Sequence, residues 1–116
     1  MAKKEFYTGI VVEESLEDSR ILNEVKILKV KITDSEEPAK RWHVYTVKVS
    51  QKEIERLAGN IRHGWYMHFW KNKIVSVFFK GQRFELDHDE ESSWTPAIQY
   101  GLFMGIPREQ LNFPIE

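Results

Sequence analysis

At 116 residues the chain is sized for one domain with a single core, spanning 1–116, and the absence of cysteine excludes disulfides, thiolate metal sites and cysteine nucleophiles. A composition of 41% hydrophobic and 30% charged residues is that of a globular protein, and a net charge of −1 supplies no overall basic field for nucleic acid or anionic lipid. No window approaches the roughly 20 apolar residues of a membrane span. No apolar run follows the opening Met1-Ala2-Lys3-Lys4-Glu5, so a cytoplasmic protein without membrane contact is expected.

Phe6, Thr8, Ile10 and Val12 alternate with Tyr7, Gly9, Val11 and Glu13 and predict a first strand. Ser15-Leu16-Glu17-Asp18 has the form of a helix start, with Ser15 as cap and an acid three residues on. That helix must be short, because 25–33 alternates again, with Leu28, Val30 and Ile32 on one side and Lys29 and Lys31 on the other. The acidic stretch Asp34-Ser35-Glu36-Glu37-Pro38 reads as a loop into a third strand over 41–49. Ser50-Gln51-Lys52-Glu53 is a capping box, Val49 and Ile54 sit where a hydrophobic staple closes, and Ile54, Leu57, Ala58 and Ile61 share one helical face. The staple turns Val49, Val47, Tyr45 and His43 inward and leaves Trp42, Val44 and Thr46 on the other face.

Gly64 is expected to help end this helix and to open the aromatic run Trp65-Tyr66-Met67-His68-Phe69-Trp70, whose residue types suit a strand. Lys71-Asn72-Lys73 reads as a turn, 74–80 as a strand, Lys80-Gly81 as a second turn and 82–88 as the last strand of a meander. Thr95-Pro96 is a helix entry, Trp94, Ala97, Ile98, Gly101 and Leu102 fall on one stripe, and Gly105 is the stop. Pro107 starts one more turn, and Leu111 and Phe113 anchor the tail. The order β-short α-β-β-α-β-β-β-α predicts an α+β fold: an antiparallel, strongly twisted sheet of five to six strands with helices packed on one face. A small barrel-like sheet is the alternative.

Strand register decides what the second face carries. A two-residue loop at Lys80-Gly81 opposes Phe79 to Gln82 and Val77 to Phe84, so Phe84 and Leu86 join Val75, Val77 and Phe79 in a core. The turn at 71–73 can close in two ways. A three-residue loop adds Trp65, Met67 and Phe69 to that core, and a two-residue loop adds Tyr66, His68 and Trp70 instead. Burying a histidine and a phenol requires hydrogen-bond partners, whereas burying Met and Phe requires none, which favours the three-residue loop. The outer face then carries Tyr66, His68 and Trp70 beside Ile74, Ser76 and Phe78, with Arg83, Glu85 and Asp87 on the last strand.

Rings beside a few polar groups are what small-molecule sites and self-association surfaces use, although a solvated face or a helix-covered core accounts for the same pattern. The expectation is a non-catalytic binding or self-association module without cofactor. Tyr66, His68, Trp70, Phe78, Arg83 and Glu85 are its contact residues, and the partner is a second copy of the chain (a homodimer) or a small aromatic ligand. One alternative is a small metal-dependent or acid–base hydrolase using His68, His88 and Glu85. Against it, Ser76 lacks a nucleophile-elbow context, and His43, His63, His68 and His88 have no metal-motif spacing. The other alternative is a binder of single-stranded nucleic acid, with Lys71, Lys73, Lys80 and Arg83 around the hairpin tips. Nearby Glu85 and Asp87 and the missing stacking motif weigh against it.

Overall fold

Local signals account for most of the elements seen. The computed structural model describes residues 5–115; residues 1–4, most of the opening Met1-Ala2-Lys3-Lys4-Glu5 stretch, lie outside them, as does Glu116. Six strands form one antiparallel sheet, as expected for the α+β class: β1 (Tyr7–Val12), β2 (Lys26–Ile32), β3 (His43–Val49), β4 (Tyr66–Lys71), β5 (Ile74–Phe79) and β6 (Gln82–Asp87). Their order, β2-β3-β1-β4-β5-β6, is that of an open sheet with β1 at its centre rather than a barrel. Helix α1 (Gln51–Ala58) begins at the Ser50–Glu53 capping box, both halves of which are formed. Helix α2 (Thr95–Phe103) has its proline in the first turn, and the chain leaves it through Gly105 at φ +88°. No helix among the described residues is long and apolar enough to cross a membrane.

Several details differ from the sequence reading, each for a local reason. The segment after β1 is two 3₁₀ pieces, Glu13–Ser15 and Ser19–Glu24. Its cap is Asp18, which accepts from the Arg20 amide, while the Ser15 hydroxyl turns back to the Val12 carbonyl at 2.6 Å. Helix α1 stops at Gly59, so Gly64, at φ +87°, serves only the entry to β4. A bulge in β2 at Leu28 brings Ile27, rather than Leu28, onto the face of Val30 and Ile32.

The largest correction is the register of β4 on β5. The turn at 71–73 is the two-residue one: Lys71 opposes Ile74 and Trp70 opposes Val75. Asn72 at φ 56° takes the left-handed conformation that such a tight turn needs, and asparagine tolerates it. Tyr66, His68 and Trp70 therefore lie with Val75, Val77, Phe79 and Leu86, under α2 and the tail that carries Ile106, Leu111 and Phe113. Met67 and Phe69 are buried too, on the opposite face with Val11, Val47, Val49 and Phe78, under α1 and the segment bearing Leu16 and Leu22. Helices thus cover both faces of the sheet instead of one, and the aromatic strand can turn rings to each side because each side is core.

Candidate functional site

The strongest candidate site lies where the second cover falls short. On the α2 side of the sheet, Ile10 and Val12 of β1, Val44 of β3 and His68 of β4 face the same way, because Ile10 opposes both Thr46 and His68 and Val12 opposes Val44. Helix α2 covers the β4–β5–β6 half of this face, and residues 106–114 run back across β4 as a strap. A cleft of about 330 Å³ remains between strap and sheet. Its walls are Ile10, Val12, Val44, Ile106 and the indoles of Trp42 and Trp65, with Thr33, His68, Glu109, Gln110 and Asn112 supplying polar atoms. The two indoles meet edge to face, centroids 5.0 Å apart at 68°. No lysine or arginine among the described residues lines the cleft.

Tyr66, which also lines the cleft, and His68 act as the strap's fastenings. The Tyr66 hydroxyl donates to the Gln110 carbonyl and lies 3.1 Å from that of Asn112. Burial pushes the phenol up to about 12, against the opposing effect of the Asn112 backbone contact, so it remains a donor through the neutral range. His68, buried at 3% exposure, donates from Nε2 to the Pro114 carbonyl at 2.8 Å and stacks on Trp70 at 5.4 Å. These bonds span 44 to 46 residues of chain. They supply the partners that burying a histidine and a phenol demands.

The six contact residues named from the sequence do not share a face. Tyr66 and His68 line the cleft, and Trp70, 6% exposed, lies in the α2-side core. Phe78, Arg83 and Glu85 project to the α1 side, where with Ser76 they border a hollow of about 260 Å³. Arg83 sits over the Phe78 ring and 3.7 Å from Glu85. The open aromatic surface expected for self-association is therefore covered. His68, Ser76 and Glu85, which the expected register sets side by side on one face, are not brought together either, since Ser76 opposes Glu85 while His68 points through the other face of the sheet. The cations around the hairpin tips all have carboxylates near: Lys71 by Glu5 at 2.8 Å, Lys80 by Glu17 at 3.0 Å and Lys73 by Asp89 at 3.7 Å.

Among the described residues, the group with metal-ligand proximity is Glu13, Glu14 and His43, not the His68–His88 combination. Three of its four carboxylate oxygens already have protein donors. The His43 amide and ring Nδ1 each lie 2.8 Å from one Glu14 oxygen, and the Tyr45 hydroxyl donates to Glu13 at 2.8 Å. Partial burial opposes ionisation of Glu14, but the His43 hydrogen bonds outweigh it and hold the carboxyl below its ordinary value. The same hydrogen bond raises His43 above its ordinary 6.5, against a smaller opposing effect of burial. The stabilisation from this pair should therefore be fully present between the ordinary values of 4.5 and 6.5. It is lost as pH rises through the raised His43 value, and lost again as pH falls through the lowered Glu14 value. NMR titration should show His43 deprotonating above 6.5 and returning toward it in Glu14→Gln; an unchanged midpoint would contradict the pairing.

The sequence reading passed over Trp42, Trp65 and Glu109 as cleft residues and Glu13 and Glu14 as partners of His43. Alternation placed Trp42 and Val44 on the correct face. No local pattern shows where a distant strap leaves a gap, and the Glu14–His43 bond joins residues 29 apart. Comparison with family models, with curated proteins and with solved structures finds no match to this chain.

Proposed function

We propose that this protein is a non-catalytic binding module whose cleft between the sheet and the 106–114 strap takes a small, flat, largely apolar molecule. The observation that supports this is the cleft itself, about 330 Å³ with two indoles and four aliphatic side chains in its walls. That volume falls within the range of roughly 300–1,000 Å³ that small-molecule sites occupy, and a mostly apolar wall with a few polar atoms is their usual make-up. With no lysine or arginine among the described residues of the lining and Glu109 at its border, a neutral ligand fits better than an anion. The expected aromatic ligand is thus kept. Its site moves from an open sheet face to the gap beside Tyr66 and His68.

The neutral fluorophore N-phenyl-1-naphthylamine tests this, because it brightens in apolar surroundings. Saturable binding at one site is expected, with energy transfer from Trp42 and Trp65. Val44→Phe, which fills the cleft from its half-buried wall position, should weaken the probe at least tenfold while circular dichroism stays unchanged. No saturable binding, or equal binding by a folded Val44→Phe protein, would overturn the proposal.

A further inference from the structure

We infer that the free edge of β2 is a docking strand for an extended segment of a partner protein in which apolar and acidic residues alternate. Strand β2 ends the sheet, so among the described residues one row of its backbone amides and carbonyls has no neighbouring strand. All seven of its residues are exposed. Four of them are large and aliphatic: Ile27 at 41%, Leu28 at 50%, Val30 at 49% and Ile32 at 55% exposure. Ile27, Val30 and Ile32 stand on the α1 side, opposite Val47, Tyr45 and His43 of β3, and extend that face beyond its helical cover.

The other face of the same edge is basic. Lys26, Lys29 and Lys31 point to it, and Lys26 has Lys48 directly across on β3. Neither β2 nor β3 contains a carboxylate. An added strand would therefore meet apolar neighbours on one face and lysines on the other. Cross-strand pairs of opposite charge, and apolar pairs, each stabilise a sheet. An acidic–apolar alternation satisfies both faces at once, while the backbone edge supplies hydrogen bonds that do not depend on side chains.

The same lysines disfavour a second copy of this chain. Two β2 strands related by a two-fold axis pair antiparallel, and opposed residues must share a face. Any such pairing over residues 29–32 sets Lys29 or Lys31 against Lys29 or Lys31 of the other copy, a like-charge opposition. Single-stranded nucleic acid would use the lysines but not the aliphatic row or the backbone edge.

The test uses the whole chain and a fluorescein-labelled synthetic octapeptide, Val-Glu-Ile-Asp-Val-Glu-Ile-Glu, read by fluorescence polarisation. Binding should be at least tenfold tighter than that of the same peptide with lysine in place of every acid. It should be lost when alternate peptide nitrogens are methylated, and it should weaken in a Lys26→Glu/Lys31→Glu protein, which then favours the lysine peptide. Equal binding of the two peptides, or full binding of the methylated one, would overturn the inference. So would displacement of the peptide by oligothymidylate, which would assign the lysines to nucleic acid, or a dimer in sedimentation that disappears in Val30→Lys.

Discussion

Phe113→Ala should lower the stability of the fold by about 3–5 kcal/mol in urea or thermal denaturation, the usual cost of deleting a fully buried aromatic ring. Phe113 has no exposed surface. Its ring meets those of Tyr66 and Trp94 at 5.5 Å and of His68 at 6.0 Å, so one side chain joins the strap to both β4 and the turn before α2. Removing it leaves a cavity beneath the strap and takes away the packing that holds the Gln110, Asn112 and Pro114 carbonyls over Tyr66 and His68. Two readouts should move together: global stability, and binding of the naphthylamine probe, whose cleft the strap closes. Leu102→Ala, at a side chain 46% exposed on α2, is the comparison and should cost far less. A loss below about 1 kcal/mol at Phe113 would mean that the strap is not part of the cooperative core.

Gly9→Ala is the second large effect. In the middle of a strand, alanine ordinarily improves on glycine by roughly 0.5–1 kcal/mol. Here the sign should reverse to a loss of about 1–3 kcal/mol or more. A Cβ at this position would stand 2.1 Å from Cδ1 and 2.6 Å from Cε1 of Phe69. Gly9 opposes Phe69 directly across the β1–β4 pair, and the ring fills the space that glycine leaves. The ring has little room to retreat, being fully buried with Phe78 edge-on at 5.8 Å. A double-mutant cycle with Phe69→Leu measures the coupling: the two substitutions together should cost clearly less than their sum. Strict additivity, or a stabilising Gly9→Ala, would contradict this packing.

These two substitutions also mark where reading the chain alone succeeds and where it stops. Phe113 was named as an anchor from its place in an apolar tail, and it is one. Gly9 was passed over as an ordinary member of an alternating strand, because its constraint comes from a residue 60 positions away, across a strand pair. The Lys80-Gly81 turn was predicted with its register, since Gly81 at φ +77° marks a two-residue loop by residue type alone. The turn before it was placed one residue out. Burying Tyr66 and His68 is costly where their polar atoms find no partner. Their partners are carbonyls of the strap, and nothing near β4 in sequence announces them.

The candidate site follows the same division. Tyr66 and His68 were legible as ring-bearing polar residues and do border the cleft, whereas Phe78, Arg83 and Glu85 went to the other side with the one-residue change of register.

Taken by itself, the chain determined the α+β class, the number of strands to within one, the capping box at Ser50 and the tight turn at Lys80-Gly81, because each depends on side chains within a few residues of one another. Which face each aromatic ring occupies, that both faces are covered, and where a cleft remains were decided only by tertiary structure. The physical reason is that a strand's two faces are equivalent until something distant covers one of them, and here the cover that matters returns from the far end of the chain to hydrogen-bond with β4.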